Sequence, residues 1–143
     1  PTTALDVSIQ AQILSEMRKL VRETGVSLIW ISHDLAVVSA LADRVMVMYA
    51  GRIVERGPTR ETLRAPRHPY TAGLLASLPA SIPPGAPLAQ IAGSPPSLID
   101  PSPGCAFAPR CPRAAEPCRA EPPWSEEGAR AARCWFPLEG PAP

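Results

Sequence analysis

The sequence is short of lysine, of aromatic residues and of net charge. Lys19 is the single lysine among 143 residues, 5% of residues are aromatic, and the formal net charge is +1. Balanced charge excludes a basic nucleic-acid arm or an acidic solvating tail as the main activity, so no nucleic-acid partner is expected. No stretch approaches the roughly 18 to 20 apolar residues of a membrane span, and the chain does not open with a basic segment followed by an apolar h-region. These absences predict a soluble chain with no secretion address of its own. A G-x-x-x-x-G-K phosphate loop is missing as well, because Lys19 follows Arg18 rather than glycine.

Proline, by contrast, is plentiful and unevenly placed. Of 20 prolines only Pro1 precedes Pro58, whereas 16 lie between Pro79 and Pro143. The first half has the composition of a globular α/β domain. The second half is too poor in regular structure to fold on apolar burial alone, and it holds all four cysteines.

In the first half, Ile9, Ile13, Leu14, Met17, Leu20 and Val21 recur at helical spacing, with Asp6 suited to the N-cap and Gly25 to the left-handed end. Val26–Ile31 (VSLIWI) is an unbroken, β-branched apolar run, which predicts a strand covered on both faces of a parallel sheet. A short helix over 35–42, a hairpin of strands 44–49 and 52–55 turning at Ala50-Gly51, and two small helices over 59–64 and 70–78 complete the α/β half. Residues 79–103 show no periodicity and predict an extended, polyproline-like connector. The composition thus divides the chain into 1–78, a Pro-rich linker 79–103 and a four-cysteine segment 104–143.

His33, directly after the buried strand, stands where ligands sit in doubly wound α/β proteins. Taken alone, Ser32-His33-Asp34 equally describes a helix cap. The surroundings are more specific. Pro1-Thr2-Thr3-Ala4-Leu5-Asp6, an amphipathic helix, VSLIWI and then Ile31-Ser32-His33-Asp34, followed by the hairpin VMVMYAGRIVERG, resemble the ATP-binding subunits of ABC transporters from the end of Walker B to beyond the H-loop. The resemblance implies the C-terminal part of a P-loop NTPase domain. It also implies that Thr3, Ala4, Leu5 and Asp6 form the D-loop at a dimer interface, and that His33 is the catalytic switch residue touching the ATP γ-phosphate. The Walker B carboxylates would lie just before Pro1, so the sequence reads as a fragment, inactive alone, of a subunit that uses ATP and Mg²⁺.

Pro66-Arg67-His68-Pro69-Tyr70-Thr71 together with Ile91-Ala92-Gly93-Ser94-Pro95-Pro96-Ser97 is similar to the oligopeptide and dipeptide importer branch. That likeness implies uptake of di- or oligopeptides, with nickel complexes or another solute as the alternative. The implied partners are a second ATPase subunit, membrane permease subunits and, indirectly, an extracytoplasmic solute-binding protein. The implied place is the cytoplasmic face of the membrane, as a peripheral protein. Another ABC-type ATPase, of DNA repair or assembly, lacks this combination with the cysteine tail. His68 itself reads as a surface residue opening a short helix.

Cys105, Cys111, Cys118 and Cys134 are spaced C-x5-C-x6-C-x15-C. Four cysteines within 30 residues of a tail with few core candidates favour a metal centre over disulfides. Four thiolates suit tetrahedral Zn²⁺ or a cubane cluster, and the spacing does not decide between them. The importer resemblance implies a [4Fe–4S] cluster, with Zn²⁺, reduced thiols and a disulfide pair as the other readings. A stand-alone metal-binding or interaction module without catalysis is the contrasting function class.

Overall fold

The computed structural model describes residues 7–78, 90–99 and 103–140. The chain forms two compact units, Pro1–Ala42 and Asp43–Pro143. The expected D-loop, Thr3 to Asp6, and most of the expected linker lie outside the described residues. Residues 90–99 contain neither helix nor strand.

The first unit holds helix α1 (Val7–Thr24) and helix α2 (Leu35–Leu41). Helix α1 ends as its sequence predicts: Arg22 sits in the last turn, where a cation complements the helix dipole, and Gly25 closes it at φ 69° with its amide donating to the Val21 carbonyl. Helix α2 begins at Asp34, whose carboxylate accepts from the amides of Ala36 (2.9 Å) and Val37 (3.3 Å). Between them the expected strand Val26–Ile31 is not formed, and Ile29 and Ile31 are 82% and 90% exposed. The physical reason is the lack of a ladder. A strand buried on both faces needs neighbours for its amides and carbonyls, and this unit has no other strand among its described residues.

The second unit is built on a four-stranded antiparallel sheet in the order β1-β2-β4-β3. Strand β1 (Arg44–Tyr49) alternates cleanly, with Val45, Val47 and Tyr49 inward and Arg44, Met46 and Met48 outward. Ala50 and Gly51, at φ 47° and 75°, make the tight turn into β2 (Arg52–Pro58). A register shift at Val47/Met48 accompanies the burial of two consecutive residues of β2, Val54 and Glu55. Helices α3 (Thr59–Arg64) and α4 (Pro69–Ala76) follow, the latter opening on proline at its first position, where a missing amide costs nothing. Strands β3 (Trp124–Glu127) and β4 (Arg130–Arg133) then extend the sheet, with Ala132 opposite Glu55 and Ala131 opposite Arg56. The architecture is mixed helix and antiparallel sheet. Hairpin β3–β4 was not read from the sequence; it joins the cysteine-bearing segment to the hairpin of the first half in one sheet.

Candidate functional site: a four-cysteine cavity and an exposed histidine

His33 lies in the first unit, exposed, one residue before the Asp34 cap; the Asp34 amide in turn donates to Ser32 Oγ at 3.0 Å. Its ring is therefore presented to solvent at a helix start. The four cysteines lie in the second unit, and the fold gathers them. Cys105, Cys111, Cys118 and Cys134 line one cavity together with His68, Pro69, Phe107, Ala108, Arg113, Trp135 and Phe136.

Each cysteine is placed by a nameable device. Gly104, at φ 87°, lets the chain pass so close to Cys118 and Arg119 that a β-carbon would stand 2.5 Å from the Arg119 carbonyl. That approach brings the Cys105 amide to the Cys118 carbonyl at 3.0 Å. Short 3-10 turns over Ala108–Arg110 and Glu116–Arg119 set Cys111 and Cys118. Cys134 follows β4 directly, with the Phe136 amide donating to its Sγ at 3.4 Å. Between the first two cysteines, Phe107 is 2% exposed and packs against Tyr49, Tyr70 and His68 at ring-centroid distances of 5.3, 5.4 and 5.8 Å. This aromatic plug anchors the cysteine loop to β1 and α4. Arg110 braces the same region, donating to the carbonyls of Ile91 and Ala92 and to the Tyr49 hydroxyl.

Burial pushes the thiols of Cys105, Cys111 and Cys134 above their usual range, and each is raised further by charge on neighbouring cysteines. For Cys134 all three others contribute. Thiols held neutral in this way ionise readily only with a cation between them. In donor chemistry they fit a sulfur-ligated metal group. Among the described residues, however, no group of three or more His, Cys, Asp or Glu side chains could hold a metal ion. The zinc alternative, which needs all four sulfurs about 2.3 Å from one point, therefore finds no ready site here.

Below the cavity, Glu55 is fully buried, its carboxylate accepting from the amides of Arg67 at 2.7 Å and His68 at 2.9 Å. Burial raises its carboxyl, opposed by those amides and by the charge of Arg130. His68 is 1% exposed rather than on the surface, which corrects the sequence reading. It does open a helix: its Nδ1 accepts from the Tyr70 amide at 3.1 Å and caps α4. Burial pushes its pKa down to about 4. The signal for a capping role was the proline directly after it; nothing local revealed the sulfur neighbours.

These segments have known counterparts. Residues 54–118 match the family described as oligopeptide/dipeptide transporter, C-terminal region, and the longer likenesses are to peptide-transport ATP-binding proteins. The chain is 48% identical over 138 residues to the dipeptide transport ATP-binding protein DppD of Bacillus subtilis, covering 95% of this chain and 41% of that protein. To the oligopeptide transport ATP-binding protein OppD of Escherichia coli it is 45% identical over 140 residues, 97% of this chain and 42% of that protein. A Haemophilus influenzae DppD is 47% identical over 139 residues. The chain thus spans about two fifths of the length of the curated relatives it matches. No helix among the described residues is long and apolar enough to cross a membrane.

Proposed function

We propose that this chain is the C-terminal part of an ATP-binding subunit that couples ATP binding and hydrolysis to import of di- or oligopeptides. The carrying observation is identity of 45 to 48% along nearly the whole chain to dipeptide and oligopeptide transport ATP-binding proteins. In this reading Thr3, Ala4, Leu5 and Asp6 form the D-loop facing a second ATPase subunit, and His33 holds the γ-phosphate. The exposed place of His33 at the start of α2 supports that role. Permease subunits and, through them, an extracytoplasmic solute-binding protein are the partners, and the subunit is peripheral at the cytoplasmic face. Nickel or another solute is the alternative cargo.

Phosphoryl transfer to water needs a backbone cradle with its lysine, a carboxylate-held Mg²⁺ and a group that orients the water. This sequence contains no cradle and only His33 and Asp6 of the remainder. The isolated 143 residues are therefore expected to show no ATP turnover. In a complete subunit carrying this segment, His33→Ala should lower turnover by about 100-fold or more, the scale of losing one preorganised transition-state contact, with nucleotide affinity within a few-fold. Unchanged turnover in that variant would sink the assignment of His33.

For the Pro-rich, cysteine-containing extension we propose a [4Fe–4S] cluster held by Cys105, Cys111, Cys118 and Cys134, with a structural or regulatory role. The group would supply the cross-link that a tail with few core residues lacks; the protein's own part is to aim four thiols into one cavity and shield them with Phe107, Trp135 and Phe136. Iron and sulfide analysis of anaerobically purified protein, with absorbance near 400 nm, tests this. Colourless protein free of both elements would exclude it. A binding module without catalysis is favoured by one observation, that the cavity lies entirely within the compact unit Asp43–Pro143; the His33 experiment separates the two.

A further inference from the structure

Residues 32–34 do two things at one place in the first unit: they present an exposed histidine and they start helix α2. Among the described residues no hydrogen bond or ion pair holds the His33 ring, so its aim is set by the backbone that carries it. That backbone is fixed on both sides. Ahead of α2, Ser32 Oγ accepts from the Asp34 amide at 3.0 Å and closes a short loop around His33. Asp34 itself is held extended, at φ −89° and ψ 104°, while its Oδ1 accepts from the amides of Ala36 at 2.9 Å and Val37 at 3.3 Å. Its carbonyl accepts from the Val38 amide at 3.1 Å. The helix is anchored in turn by Val37 and Val38, 6% and 8% exposed. A continuous set of contacts thus runs from two buried valines through one carboxylate to the backbone of His33.

We propose that Asp34 is a positioning residue for phosphoryl transfer, its cap on α2 holding the backbone of His33 where the ring meets the γ-phosphate. This rests on the reading of His33 given above and goes beyond it, because Asp34 acts through His33 and not on the nucleotide. The carboxylate is needed as an acceptor of the right reach rather than as a charge. A displacement of about 1 Å at a reacting group costs on the order of 100-fold in rate, so losing this pair of hydrogen bonds is felt in turnover.

Turnover and nucleotide affinity are measured in a complete subunit carrying this segment. Asp34→Ala removes the acceptor, and kcat should fall about 10-fold with KM for ATP within a few-fold. Asp34→Asn and Asp34→Ser keep a capping oxygen without the charge and should stay within about 3-fold of wild type. If both are as impaired as the alanine variant, the charge itself is at work and the positioning role is overturned. The double variant His33→Ala/Asp34→Ala separates aiming from stability. With no ring to aim, its single-turnover rate should equal that of His33→Ala alone. A cap that serves stability alone lowers the rate by the same factor in both backgrounds, and that result overturns the proposal. Should Asp34→Ala fail to fold, Asp34→Gly takes its place in both arms, since glycine is tolerated at a helix cap yet offers no acceptor. Unchanged turnover in His33→Ala is a separate result: it removes the reading of His33, and this proposal with it.

Discussion

Glu55 and His68 show how much depends on single buried polar groups. Both have essentially no exposed surface, and they are joined through the His68 amide. The folded-state pKa of His68 is lowered, from 6.5 to about 4, so its contribution to stability is fully present above pH 6.5 and is lost as pH falls through about 4. That gap corresponds to about 3 kcal/mol at full effect. Glu55 acts in the opposite sense: its raised pKa means a contribution present below 4.5 and lost as pH rises past that value. Urea unfolding between pH 6.5 and 4 should show a stability loss in the wild type that is clearly smaller in His68→Asn; an identical loss would assign the acid sensitivity to other groups. Gly104 makes a different prediction. A side chain there meets both a positive φ and the Arg119 backbone, so Gly104→Ala should cost about 2 kcal/mol or more and loosen the register of Cys105 on Cys118. Denaturant unfolding and thiol alkylation rates measure the two effects.

At the scale of elements, the cysteine loop is held to the sheet chiefly by one ring. Phe107→Ala removes a fully packed aromatic and should cost about 3–5 kcal/mol, with faster alkylation of all four thiols; a change under about 1 kcal/mol would mean that the loop is anchored elsewhere. The hairpin β3–β4 is secured by Arg67, which donates to the Ser125 carbonyl and hydroxyl and pairs with Glu127 at 3.3 Å, and by Trp124 stacked between Arg56 and Arg133 at 4.9 and 5.0 Å. Residues 26–31 present the reverse case, an apolar run left without a ladder. If this run is a strand of a larger sheet, its amides should exchange within seconds in the 143-residue chain and become protected in a longer polypeptide. Equal exchange in both would remove the pairing.

For the whole molecule, the two compact units differ in what could hold them. The unit Asp43–Pro143 has a sheet, an aromatic plug and a sulfur cavity; the unit Pro1–Ala42 has, among its described residues, helices α1 and α2 and an exposed apolar segment. With a cluster bound, the free energy of ligation is available to the folded state of the second unit alone. Removing iron with a chelator under anaerobic conditions should therefore lower the melting temperature of that unit and leave helix α1 signals unmoved. Calorimetry with residue-specific NMR distinguishes this from a uniform effect.

Some of this was legible before any coordinates. Helix α1 with its Gly25 end, helix α2 with its Asp34 cap and the Ala50-Gly51 hairpin follow from periodicity and turn chemistry, which act within a few residues. The sulfur count and the proline boundary were likewise matters of sequence alone. What only the tertiary structure decided is long-range. It joined Ala131 and Ala132 to β2 and buried Glu55 beneath the Arg67–His68 turn. It also brought His68 to cysteines that begin 37 positions further along the chain. Periodicity carries no record of such meetings, because the partners are chosen by the packing of one sheet and its helices, and the same cysteine spacing accommodates several foldings of the loop. In the other direction, Val26–Ile31 kept its strand-like sequence without becoming a strand, since backbone pairing requires a neighbour that local composition cannot supply.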